Sequence, residues 1–176
     1  MEKKLAIPTM SDLVTETTET VRLNNLQVLL NQNPPSSWLE SHPMIRGYSY
    51  IPIQRIEWLL TRIFTKWWVD IIDTKLIANS ICVTVKLSVV NPLDNKVWHN
   101  EGVGAAPLQT DKGAGSTDFN KIKSDAVMKA LPSAESYAIK DAAEKFGKIF
   151  GKDLGRKTSM DYNALLKTET TEKDLV

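Results

Sequence analysis

The run Ile81-Cys82-Val83-Thr84-Val85-Lys86-Leu87-Ser88-Val89 alternates apolar and polar residues over nine positions. Successive side chains of a strand point to opposite faces, so the run predicts a half-buried strand with one apolar and one polar side. Working outward, the tryptophan- and isoleucine-rich segment Lys66–Ile77 reads as a strand before it, and residues 96–103, which alternate less cleanly, read as a strand after it. Ala78-Asn79-Ser80 and Asn91-Pro92-Leu93-Asp94-Asn95 have the composition of turns. Three strands joined by two short turns make an antiparallel meander.

The apolar side of such a sheet needs helices to cover it. Tyr48-Ser49-Tyr50-Ile51 suits a short extended segment, and Pro52 stands where a first helical residue would. Ile53, Ile56, Leu60, Ile63 and Phe64 then recur on one helical face, with Gln54, Arg55, Thr61 and Arg62 on the other. Earlier, Leu23, Leu26 and Leu30 mark a peripheral or inter-subunit helix that Asn31-Gln32-Asn33-Pro34-Pro35 stops. Residues 102–117 hold four glycines and Pro107, which predicts a loop. Beyond it, Asp118 is placed to cap a helix through Leu131, Pro132 to break or kink the chain, and Ser133 to cap a second helix with a buried stripe of Ile139, Ala143, Phe146 and Phe150. Gly151 and Gly155 punctuate its end. The expected fold class is α+β, a three-stranded antiparallel β-meander packed on helices.

At 176 residues, 42% hydrophobic and 24% charged, the chain suffices for one sizeable core. The expected organisation is a single core domain over 18–157, with a peripheral helix and loop at 18–45 and the main body at 46–157. Polar ends at 1–17 and 158–176 read as flexible tails. One cysteine, Cys82, makes an internal disulfide framework impossible, and two histidines, His42 and His99, leave little for a transition-metal site. There is no apolar run of about 18 residues and no leader-like start after Met1-Glu2-Lys3-Lys4, so the expected setting is the cytoplasm, without a membrane partner. The net charge is +1, but residues 46–157 carry 17 basic and 12 acidic residues, whereas the flanks carry 5 and 9. The expected folded part is therefore mildly basic, which permits phosphate binding.

Enzyme motifs are largely missing. No Walker A lysine loop occurs, which argues against a helicase or a strand-exchange ATPase. Gly102-Val103-Gly104 continues into Ala105-Ala106-Pro107 and opens no helix, so a turn is the better reading than a dinucleotide fingerprint. Asp70 and Asp73, three apart on a regular strand, would point to opposite faces and hold no metal between them. His99 and Glu101 share a strand face, yet no nucleophile accompanies them, so a surface or interface pair is expected.

Lys121, Lys123 and Lys129, then Lys140, Lys145, Lys148 and Lys152, with Arg156 and Lys157, give the late helices a basic character. Asp141–Lys145 and Glu144–Lys148 at i, i+4 have an ordinary reading too, as helix-surface pairs of about 0.2–0.5 kcal/mol. Trp67 and Trp68 face opposite ways on a strand, so one of them is left to stack on bases or to pack against a neighbouring subunit.

The segment from Ala134-Glu135-Ser136-Tyr137 through Ala142-Ala143-Glu144-Lys145-Phe146-Gly147 to Lys148-Ile149-Phe150-Gly151-Lys152-Asp153-Leu154 resembles the closing helix of the Rad fifty-two type single-strand annealing proteins, a group with phage Erf and Red-beta relatives. Tyr50-Ile51-Pro52, Leu59-Leu60, Phe64, Trp67 or Trp68, and Glu101-Gly102-Val103-Gly104 are similar to that family at matching places, over roughly residues 46–154. The resemblance implies a β-β-β-α core assembled into rings or filaments. It further implies ATP-independent binding of single-stranded DNA in a basic groove, annealing of complementary strands in recombination or repair, and no cofactor or catalytic residue. Lys140 stands where the family places a groove cation, but two neighbouring family cations fall on Asp141 and Glu144. The expected DNA-binding set is therefore Lys140 with Lys121, Lys123, Lys86 from the polar face of the central strand, Arg46, Arg55 and Lys148. Expected partners are single-stranded DNA and the annealed duplex intermediate, further copies of the chain, and a phage exonuclease or single-strand-binding protein in a bacterial host. A passive protector of single strands, a loader for another recombinase, and a purely structural assembly protein are the rival readings.

Overall fold

The computed structural model describes residues 19–41 and 47–156. They fall into two compact units, one of Ile51–Phe146 and one from the described parts of Met1–Tyr50 and Gly147–Val176. The fold is α+β. Three long strands, β3 (Lys66–Ile77), β4 (Ser80–Val90) and β5 (Val97–Pro107), form an antiparallel sheet in the order β3-β4-β5, as the alternation around Val85 predicts. Ile81, Val83, Val85, Leu87 and Val89 are all buried. The tight β3–β4 turn needs a left-handed residue, which is Ala78 (φ 51°), and Asn95 (φ 57°) does the same before β5.

Helix α2 (Ile53–Ile63) precedes the sheet in the same unit. Pro52 fixes the backbone just before it, and its carbonyl accepts from the N–H groups of Arg55 (3.0 Å) and Ile56 (3.2 Å). Ile56, Leu59, Leu60 and Ile63 are buried, and Phe64 at the helix end meets the Phe146 ring at 5.4 Å, tilted 55°. Helix α3 (Ala126–Glu144) lies on the apolar face against β4 and β5.

That contact overturns two expectations. Gly102 and Gly104 belong to β5, not to a loop that starts at 102, because they line the strand face against which α3 lies. A Cβ on Gly102 would strike the Ala138 carbonyl and the Ala142 amide, and one on Gly104 would strike the Ala134 carbonyl and the Ala138 amide. Ala126, Ala130, Ala134, Ala138 and Ala142, all buried, complete the seam at four-residue spacing. Pro132 also fails to divide the helix. The alanine stripe packs on both sides of it, and that burial outweighs the cost of roughly 3 kcal/mol for an interior proline. Ser133 is thus mid-helix, its hydroxyl 3.3 Å from the Lys129 carbonyl. Asp118 precedes only a 3-10 turn, Phe119–Lys121, with no capping hydrogen bond from its side chain, and the helix starts after Asp125.

A third correction concerns β3. Ile71 opposes Val85 and Asp73 opposes Thr84, so Ile72 is a bulge with no partner of its own. The extra residue resets the alternation. Asp70, opposite Lys86, and Asp73 therefore share the polar face. Among the described residues no cluster of acidic, histidine or cysteine groups is suited to a metal ion.

In the other unit, α1 (Glu19–Leu30) buries Leu26 and Leu30 and packs on a 3-10 turn, Lys148–Phe150. Strands β1 (Glu40–Ser41) and β2 (Ser49–Tyr50) pair antiparallel, and the Tyr50 hydroxyl lies 3.1 Å from the Glu40 carboxylate. Because α3 ends at Glu144, Gly147 and Phe150 are not part of it, contrary to the sequence expectation, and Phe150 lies instead in the 3-10 turn. Gly147 earns its place by close approach all the same: a Cβ there would meet the Leu30 carbonyl.

Candidate nucleic-acid interface

Lys121 and Lys123 are the clearest pair of cations. After β5 the chain runs out and returns, held by the Thr110–Ile122 bridge, by the Asp111 N–H donating to the Lys121 carbonyl, and by the Lys123 N–H donating to the Gln109 carbonyl (both 3.0 Å). Ile122 between them is extended (φ −71°, ψ 131°), so both lysines project to one side. Both are exposed. Asp118 sits 3.4 Å from the Lys121 ammonium, a surface pair that a phosphate can displace at little cost.

Lys86 is placed differently. It lies on the polar face of β4, with Asp70 directly opposite on β3 and Glu101 directly opposite on β5. Helix α3 covers the other face, so Lys86 and Lys140 are on opposite sides of the sheet. Two directly opposed carboxylates offset the charge of Lys86 on that face. Lys140, half-buried on α3, holds its ammonium 5.0 Å from the centre of the Tyr137 ring. Lys148 is 6% exposed, and its ammonium lies 3.4 Å from Asp153, which Arg156 also approaches at 3.5 Å. A phosphate could reach it only by displacing that carboxylate. Helix α3 ends at Glu144, so Glu144 and Lys148 are not successive turns of one helix. Arg46 lies outside the described residues.

The acidic departures on α3 have a structural use. Asp141 accepts from the Val103 N–H on the outer edge of β5 at 3.1 Å, and Lys145 lies 3.1 Å from the same carboxylate oxygen while donating to the Glu101 carbonyl. Together they clasp the helix to the strand edge. At the start of the helix, the Lys129 ammonium hydrogen-bonds the Asp125 carboxylate and holds its pKa below the ordinary value. Two of the helix's cations are thus engaged by its own carboxylates.

Helix α2 carries a second group of cations. Arg55, Trp58 and Arg62 recur at i, i+3 and i+7, away from the buried Ile56, Leu60 and Ile63. The Arg55 guanidinium lies 5.8 Å from the centre of the Trp58 ring. At 49% exposure, Trp58 is the most open of the five tryptophans, all of which are described. Trp67 and Trp68, where sequence reasoning looked for a stacking ring, are less open. The Trp67 indole N–H donates to the Thr61 hydroxyl at 2.9 Å, and Lys66 reaches over Trp68 at 5.8 Å. The signal for Trp58 was present as an aromatic between two arginines on the polar side of an amphipathic helix. A flat ring flanked by guanidinium groups suits an unstacked base and the phosphates on either side of it.

No individual curated protein matches the chain. A family model does: the one described as Rad52/22 family double-strand break repair protein matches residues 22–172.

Proposed function

The chain belongs to the Rad52/22 family of double-strand break repair proteins, and from that membership we propose that it binds single-stranded DNA and anneals complementary strands without ATP. The observation that carries the reading is the α2 face, where Arg55, Trp58 and Arg62 alternate cation, ring and cation. Arginines hold the sugar-phosphate chain by charge, and the indole stacks a base without reading its identity. The Watson–Crick edge of a stacked base stays open to a complementary strand. Pairing releases roughly 1.4 kcal/mol per base-pair step, so no nucleotide hydrolysis is needed to drive it. Lys121, Lys123 and Lys140 extend the cationic contact.

The working form in this proposal is a homo-oligomeric ring or filament of the phage recombinase type, acting in a bacterial cytoplasm after an exonuclease has exposed single strands. The protein contributes binding and alignment and no bond-breaking centre. The test mixes complementary fluorescent oligonucleotides at low salt, with and without protein and with no nucleotide present. Faster duplex formation with the protein is the expected result. Binding without acceleration would assign the chain to passive strand protection instead, and absence of salt-sensitive binding would remove DNA from its function.

A further inference from the structure

The two edges of the sheet are finished differently. On β5, α3 occupies the outward Val103 N–H with Asp141 and the Glu101 carbonyl with Lys145. On β3, no strand pairs with the outer edge among the described residues. That edge carries Ile71, Ile72, Leu76 and Ile77, each 54–59% exposed. A long apolar edge of this kind is a template for another strand unless it is blunted.

The edge sequence is Ile71-Ile72-Asp73-Thr74-Lys75-Leu76-Ile77. An identical strand laid antiparallel about Thr74 sets Thr74 opposite Thr74, Asp73 opposite Lys75, and Ile72 opposite Leu76; the bulge puts Ile71 on the face of Val85 and Ile77 on that of Ser80, so the matched stretch ends at residues 72 and 76. Every directly opposed pair is complementary in charge or in polarity. The faces agree as well. Asp73 and Lys75 oppose Thr84 and Cys82 on the polar side of the sheet, while Thr74 and Leu76 oppose Val83 and Ile81 on the other, and alternation back from Thr74 puts Ile72 with them. Asp73 and Lys75 already form an ion pair at 2.6 Å within one strand, so two copies would bring four charges together in alternating sign. The hydrogen bond from Lys75 holds the Asp73 carboxyl below its ordinary pKa.

We propose that a second copy of this chain pairs with the β3 edge, antiparallel and two-fold symmetric about Thr74, joining two three-stranded sheets into one of six strands. The contact goes beyond the annealing reading and does not rest on it. It also differs in kind from the head-to-tail contact that a ring or filament requires, because here the same surface serves both partners.

Directly opposed residues of an antiparallel pair have Cα atoms about 4.5–5.5 Å apart, within the range a disulfide spans. The full chain carrying Cys82→Ser and Thr74→Cys is therefore oxidised mildly. A dimer linked between the two copies of position 74, and reversed by reductant, is the expected product. Adding Lys75→Asp opposes like charges at two symmetric places and should lower the dimer yield about tenfold, and adding Asp73→Lys to that variant should restore it. Val103→Cys in the Cys82→Ser background, at the clasped edge, should give no such dimer. The proposal is overturned if position 74 does not cross-link or if the yield ignores the Lys75→Asp change. Head-to-tail association alone would produce the first of those negative results.

Discussion

Helices α2 and α3 both carry cations, and they use them in opposite ways. On α3, Lys145 braces Asp141 and the edge of β5, and Lys129 holds the carboxylate that precedes the helix. On α2, Arg55 and Arg62 stand beside an exposed indole on a face with no part in the core. A count of lysines and arginines along the sequence ranks α3 first. The carboxylates beside Lys129 and Lys145 lower that count, since a cation held by a neighbouring carboxylate adds little to the field that an approaching phosphate meets.

The comparison breaks most visibly at the seam. Gly104→Val should cost about 3 kcal/mol or more, because the added side chain meets backbone that cannot retreat, and thermal or denaturant unfolding would read the loss. A stable Gly104→Val protein would mean that α3 does not sit on β5 this closely. Next comes Trp58→Ala, expected to weaken single-strand binding by about 1–3 kcal/mol with unfolding unchanged. Equal binding by that variant would return the interface to α3. Asp141→Ala should lower stability by about 1 kcal/mol by leaving the Val103 N–H without its acceptor, while DNA affinity stays the same or rises slightly as a negative charge goes. The smallest effects are in salt dependence. Arg55→Ala and Lys140→Ala should each flatten the logarithmic salt slope by about 0.7 if the side chain neutralises one phosphate, whereas Lys86→Ala, flanked by Asp70 and Glu101, should leave it unchanged.

Local periodicity made much of the fold legible. The β4 alternation gave away the sheet, and the recurrence of Ile56, Leu60 and Ile63 gave away α2, because each pattern reports burial by the element's own geometry. Features that depend on a distant partner were not legible. Gly102 and Gly104 look like loop residues until a helix lies on them, and the bulge at Ile72 shows only in the pairing with Val85 and Thr84. Asp141 looked like a misplaced charge because its acceptor role concerns an amide 38 positions earlier in the chain. The candidate interface divides in the same way. Lys121, Lys123, Arg55 and Lys140 are accessible in some degree, but the burial of Lys148 follows from where α3 ends and from Asp153, which no helical spacing anticipates.

Pro132 has a mechanical consequence. Its ring is on the exposed side of α3, and it deprives the Met128 carbonyl of the donor that a regular helix would supply. A hydrogen bond missing from the solvent side leaves the outer wall of the helix free to lengthen relative to the inner one, which favours a bow with its hollow toward β4 and β5. Pro132→Ala would restore that bond and strengthen the rod as a helix, at the expense of the freedom to follow a twisted surface that a straight cylinder touches only in the middle.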